Sequence, residues 1–299
     1  MQFTMTGAGG FLGEPLAHGL LADRHALHVL GRSRPVHLPG GVAFFPWDAL
    51  REEPPPAALD GSQAVIHLAG EPVAQRWTPR VKARIRSSRV EGTRRLVAAI
   101  AKTRRKPVVL VCASAIGYYG SRGDEILTED SKPGAGFLPE VCVAWENAAR
   151  EAEKLGLRVV NLRIGVVLGH GGGALARMLP PFRIGLGGPI GSGNQWMSWV
   201  HRDDLVALIR FAAELPALQG PVNATAPSPV TNAVFTRELA AALRRPAFLP
   251  APPAVLRLLF GEMAEVLLAS QRVVPVAAES AGFRFRYPQV GMALRNSIS

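Results

Sequence analysis

An α/β fold is what the sequence predicts: a doubly wound parallel sheet with helices on both faces, and a smaller C-terminal lobe beside it. Three observations predict it. Short apolar runs of strand length alternate with stretches of helical spacing through the first half of the chain. The first of those runs opens at once into a glycine turn, "TGAGGFLG" at 6–13. After Gly169 the texture changes to a glycine-rich, loop-like segment that runs to about residue 201.

The elements follow in order. "QFTM" is the first strand and "FLGEPLAHGLLADR" has the spacing of a helix. "ALHVLGR", "VAFFPWD" and "AVIHLAG" are strand-like runs that end in turn residues. Residues 80–104 form a long basic helix, and "PVVLVCASA" is a buried strand. "LPEVCVAWENAAREAEKLG" is a helix stopped by Gly156, and "LRVVNLRIGVVLG" one further strand. One short helix is expected within 169–201, then a helix over "RDDLVALIRFAAEL", then a tail marked by Pro and Phe.

Composition narrows the class. With 48% hydrophobic and 19% charged residues, the 299-residue chain is an ordinary globular protein. No apolar run has the roughly 20 residues that cross a bilayer. Cys112 and Cys142 fit no disulfide or metal framework, and no His, Cys or carboxylate cluster has metal spacing. With the turn following the first strand at once, no signal peptide is expected, and the expected location is cytoplasmic. The net charge of +11 is concentrated: residues 76–106 hold twelve Lys and Arg against Glu91 alone, and the remainder is balanced. Such a run favours anions, among them cofactor phosphates, an acidic substrate or nucleic acid; a solvated helix face is the bland alternative.

Gly7, Gly10 and Gly13 fall in G-x-x-G-x-x-G spacing after a strand and at the mouth of a helix. There glycine permits a tight turn and close approach of backbone N–H groups to a pyrophosphate, with the helix field favouring the anion. Gly7, Gly10, Phe11, Leu12 and Gly13 are therefore assigned to a dinucleotide site. The second strand ends "LGRSR". A carboxylate near this point would accept from a ribose 2′-hydroxyl; Arg32 cannot accept, but its fork suits a 2′-phosphate. NADP(H) is expected over NAD(H).

"TGAGGFLG", "HLAG" at 67–70, "VEGT" at 90–93, "YG" at 119–120 and "WVHRDD" at 199–204 resemble the extended short-chain dehydrogenase/reductase family. More narrowly, "RWTPRVKARIRSSR", "SAIGYYG", "WENAA", "PFRIGLGGPIGSGNQWMSWVHRDDL" and "GFRFRYPQVGMALR" resemble an atypical branch described as NAD-dependent epimerase family proteins, sometimes labelled cell-division inhibitors. The resemblance implies a Rossmann-type nucleotide-binding domain over 1–168 and a substrate lobe over 169–299, partly interleaved with it. It also implies that Leu68, Ala69 and Gly70 pass beneath the cofactor's adenosine and ribose, and that Val167 approaches the nicotinamide. Arg89 stands where the wider family has Asn, so Arg89 and Arg84 are expected to reach the cofactor.

The family's catalytic Ser/Thr, Tyr and Lys are not matched. None of Tyr118, Tyr119 and Tyr287 has a lysine four residues on, and the Tyr slot falls near Glu140 or Val141. Ser114, Tyr119 and Glu146 are the candidate replacements, with Glu71, Gln195 and Trp196 as candidate substrate contacts in pocket loops. The expected function is an NADP(H)-binding oxidoreductase or epimerase-like protein acting on a small molecule. The alternative is a non-catalytic NADP(H)-binding or redox-sensing protein. Nucleic acid ranks last, because no aromatic stacking motif beyond Trp77 accompanies the basic run. No membrane or metal partner is expected, and a homodimer stays open.

Overall fold

The computed structural model describes residues 1–39 and 41–298. Seven parallel strands form its central sheet: β1 (Gln2–Thr6), β2 (Ala26–Gly31), β3 (Ala43–Pro46), β4 (Ala64–His67), β5 (Val109–Ala115), β6 (Arg158–Ile164) and β7 (Gly220–Ala224). Their order across the sheet is β7-β6-β5-β4-β1-β2-β3. The strand order reverses between β1 and β4, which opens a crevice beyond their carboxyl ends.

Helices α1 (Gly13–Ala22), α2 (Pro79–Ala101), α3 (Phe137–Arg150), α4 (Gly173–Arg183) and α5 (Arg202–Glu214) follow in chain order. Successive side chains of a strand point to opposite faces, and β5 shows the result. Val109 and Val111 join the core formed with Leu16, Leu20, Leu205 and Leu208 of α1 and α5. Leu110 and Cys112 join the core formed with Leu96, Ile100, Trp145 and Ala149 of α2 and α3. One strand thus serves two cores, which is why it reads as a continuous apolar run.

Helix α2 starts where Pro79 follows the cap residue Thr78, whose hydroxyl accepts from Val81 N at 3.2 Å. The stretch after β6 departs from the single long strand expected. A Cβ on Gly165 would lie 2.6 Å from the Ser198 carbonyl, so the chain turns out of the sheet there. Val166–Leu168 then pairs in parallel with Trp199–His201. Helix α3, which carries Glu146, also ends earlier than the sequence pattern, at Arg150, and a 3₁₀ turn over Glu151–Leu155 leads to Gly156.

The second lobe has its own core, in which Leu175, Phe182, Trp199, Phe235, Leu239, Val290 and Leu294 pack together. It contains α6 (Asn232–Leu243), α7 (Pro253–Phe260) and further helices that include Val290–Ile298. Asp204, in the first turn of α5, accepts from Arg286 N and Tyr287 N, both at 2.9 Å, and so fastens the C-terminal tail. Strand β7 closes the sheet at one margin. Its Asn223 N–H, facing away from β6, donates to Glu129 at 2.9 Å, and Pro221 occupies the other outward position.

Candidate functional site

The glycine turn sits at the crevice with the geometry a phosphate cradle requires. Gly7 adopts φ +75°, and a Cβ there would lie 3.1 Å from Ala69 N and the Leu68 carbonyl carbon. A Cβ on Gly13 would collide with the Gly7 carbonyl, so this glycine sets how closely α1 packs on the turn. Helix α1 has no side-chain cap at its N-terminus, so none of its first-turn N–H groups is consumed by one. These residues fit a dinucleotide diphosphate.

Around the turn lies a cleft of about 520 Å³. Gly7, Gly10, Arg32, Leu68, Ala69 and Gly70 line it, half of the residues assigned to the cofactor from sequence, together with Glu71. Ser33, Arg34, Asp48, Ala49 and Leu50 line it too, and sequence reasoning passed over them. Arg34 was readable, because "GRSR" carries a second arginine at the strand end. Phe11, Leu12 and Gly13 lie outside the cleft wall. Phe11 is wrapped by the backbone of 169–173, Leu12 packs on the core, and Gly13 packs on Gly7.

Arg89 lies beneath the cleft floor. Its guanidinium carbon is 3.3 Å from where a Gly70 Cβ would be, so a side chain there would press on it. Arg89 Nη1 donates to the Glu71 carbonyl at 2.9 Å, and the guanidinium lies over the Trp145 ring at 5.0 Å. Burial lowers the Arg89 pKa from its ordinary value, against the attraction of Cys142 and Glu71. Arg84 pairs with Glu71 Oε2 at 3.0 Å at the rim, and Gln75 donates to Oε1 at 3.3 Å. Both arginines thus adjoin the cleft through Glu71, whose side chain is held by α2 and its own loop.

Ser114, Tyr119 and Glu146 are brought together in one buried network, centred on Arg163 near the carboxyl end of β6. Ser114 Oγ donates to Glu146 Oε1 at 2.7 Å. Arg163 grips the same carboxylate with two bonds of 2.9 Å, from Nε to Oε1 and from Nη2 to Oε2. Arg163 Nη1 also donates to the Tyr119 hydroxyl at 2.9 Å, and that hydroxyl donates to Asn223 Oδ1 at 2.6 Å. The Tyr118 ring faces the guanidinium at 3.5 Å. Burial works against the charge of Arg163, but hydrogen bonding and attraction to Glu146 outweigh it and raise the arginine's pKa. Burial likewise pushes the Tyr119 phenol up to about 12, although Arg163 pulls the other way.

Arg163 and Asn223 are the members that sequence reasoning missed. For Arg163 the signal was present: "VVNLRI" puts it in an otherwise largely apolar strand, and a buried guanidinium demands a partner. The remaining candidates sit apart. Val167 pairs with Val200 beyond the end of β6. Gln195 donates to the Ile190 carbonyl at 2.9 Å, and Trp196 donates to Asp124 at 2.7 Å with Arg272 over its ring at 4.2 Å. Both are half-buried and tied within the second lobe and its neighbouring loops. Among the described residues no group of three His, Cys, Asp or Glu side chains could hold a metal ion, and no helix is long and apolar enough to cross a membrane.

Comparison with known proteins agrees with this architecture. A family model described as the NAD dependent epimerase/dehydratase family matches residues 3–224, and a domain of unknown function matches residues 251–297. The chain is 44% identical over 299 residues to the chloroplastic epimerase family protein SDR39U1 homolog of Arabidopsis thaliana, covering 99% of this chain and 86% of that one. It is 37% identical to the epimerase family protein YfhF of Bacillus subtilis, covering 100% of this chain and 98% of the relative. The crystal structure of human epimerase family protein SDR39U1 (isoform 2) with NADPH superposes with a TM-score of 0.88 at 36% identity, covering 99% of each chain. On its sheet order, its glycine turn and these matches, the chain belongs to the NAD dependent epimerase/dehydratase family.

Proposed function

We propose that this protein binds NADP(H) and acts as an oxidoreductase or epimerase-like enzyme on a small molecule, with Ser114, Tyr119 and Glu146 in place of the Tyr-x-x-x-Lys pair. The observation that carries the cofactor is the paired arginines Arg32 and Arg34 lining the cleft beside the end of β2, where a carboxylate would favour an unphosphorylated ribose. The human relative crystallised with NADPH supports the same reading. NADP(H), when bound, supplies or accepts the hydride. The protein's part is the proton. A substrate alcohol hands its hydroxyl proton to Ser114 Oγ as the proton of Ser114 passes to Glu146, while Arg163, steadied by Tyr119, keeps the carboxylate in place.

The test is calorimetry with NADPH and NADH on the wild type and on Arg32→Ala. A charge-assisted phosphate contact contributes about 1.5–3 kcal/mol, so NADPH should bind roughly ten- to a hundredfold more tightly than NADH, and the variant should lose most of that margin. Equal affinities in the wild type sink the reading.

One observation favours a second reading, a non-catalytic NADP(H)-binding or redox-sensing protein. Both oxygens of Glu146 and the hydroxyl of Tyr119 are spent on internal partners, and both side chains are buried. NADPH turnover with aldehydes, ketones or quinones separates the two readings. The cytoplasmic placement belongs to the proposal as well, resting on two free, buried cysteines, while one relative is chloroplastic.

A further inference from the structure

Behind α3 runs a second recess, of about 760 Å³, separate from the dinucleotide cleft in every residue that lines it. Its floor is β6, through Val159, Asn161 and Arg163, and its wall is the α3 face that carries Glu146 and Asn147. Tyr118 stands at one end and Gln219 at the other. The size falls within the range of about 300–1,000 Å³ typical of small-molecule sites.

One polar group there has no purpose within the protein. Asn161 is 1% exposed, and its Oδ1 has no hydrogen-bond partner. An orphaned buried amide oxygen costs about 1–3 kcal/mol, and burying it is out of keeping with a strand whose other inward positions are satisfied. The charged groups nearby offer little to an ionic ligand. Glu146 and Arg163 neutralise each other at 2.9 Å, Arg150 and Glu153 pair at 3.7 Å, and Arg158 donates to the Ala212 and Ala213 carbonyls of α5 and to the Leu218 carbonyl beyond it. What the recess still offers is three carboxamides, Asn147, Asn161 and Gln219, beside an aromatic ring. Each carboxamide presents a donor and an acceptor side by side, the pattern that matches a pair of neighbouring hydroxyls. The Tyr118 ring supplies an apolar face for the carbon skeleton between them.

We propose that this recess is a second ligand site, for a neutral polyhydroxylated molecule of the sugar or cyclic-polyol class, with Asn161 as its anchoring contact. A hydroxyl of the ligand donates to Asn161 Oδ1, and its neighbour accepts from the amide of Asn161. The recess shares no lining residue with the dinucleotide cleft; Glu146 and Arg163 of the proton-transfer proposal line it as well, but the anchoring role of Asn161 does not rest on theirs.

The test uses the full chain saturated with NADPH, labelled with ¹⁵N at asparagine, and titrated with methyl α-glucopyranoside and with myo-inositol. Saturable shifts of the Asn161 and Asn147 side-chain amide signals are expected with at least one probe, undiminished by the cofactor. Asn161→Leu should abolish binding while the protein melts at the same temperature or higher, because an apolar side chain removes the orphaned polar atom. Asn147→Ala should weaken binding several-fold without changing the fold. Shifts that fail to saturate with both probes, or binding that survives Asn161→Leu, overturn the proposal.

Discussion

His67, at the end of β4, is buried with both ring nitrogens engaged, Nδ1 with Thr6 Oγ1 at 2.8 Å and Nε2 with Thr93 Oγ1 at 3.1 Å. Burial, then the nearby Arg89 charge, lowers its pKa to about 4. The unfolded chain therefore takes up a proton near the ordinary histidine value, while the folded protein resists it until about pH 4. Stability is constant above about pH 6.5 and falls below it, on the order of 1 kcal/mol per pH unit from this group. Urea unfolding at successive pH values down to 4.5 should show the decline, and His67→Gln should flatten it. The same residue-scale reasoning explains what sequence could and could not reveal at the site. The glycines were legible because backbone geometry at a turn depends on local chain chemistry. Arg163 was not picked out, because the value of a buried charge depends on Glu146 and Tyr119, which reach it from α3 and from the 3₁₀ turn after β5.

Between the elements, one contact that ties the lobes together is the wrapping of Phe11 by Gly169, Gly172 and Gly173. A Cβ on Gly172 would lie 2.5 Å from Phe11 Cδ2, although the backbone there is extended and open to any residue. Gly172→Ala isolates packing from backbone strain and should destabilise by about 1–3 kcal/mol. Phe11→Ala alone should also destabilise, and the double variant should cost less than the sum, read by denaturant unfolding of all four proteins. Strands β1, β2, β4 and β5 were readable because each is an apolar run bounded by turn residues. The break at Gly165 was hidden in a continuous strand-like run, because only the approach of the Ser198 carbonyl forces it. The glycine-rich segment looked like loop, yet several of its glycines are there to leave room for rings: those at 169, 172 and 173 for Phe11, and Gly187 for Phe182.

Across the whole molecule, the C-terminal region reaches back over the first lobe through polar contacts at the surface. Lys82 pairs with Glu262 at 2.7 Å, and Arg76 donates to the Leu258 carbonyl at 3.1 Å. Arg177 of α4 likewise donates to the Ala74 carbonyl. The basic run is thus partly spent on intramolecular clasps, together with Arg84 on Glu71 and Lys102 on Glu53. Exposed pairs are worth about 0–1 kcal/mol each and weaken with salt. Amides of residues 253–268 should therefore exchange faster at high ionic strength, and Glu262→Gln should reproduce the effect at low salt, while β4 and β5 stay protected. The β7 margin of the sheet behaves differently. At β7 the outward row of backbone donors is already closed, because Pro221 has no N–H and Glu129 takes the one from Asn223. A growing fibril adds its next chain through donors as well as acceptors, and neither outward position of this margin has a donor to give. Concentrated solutions of the folded protein should therefore fail to seed cross-β polymer from this side.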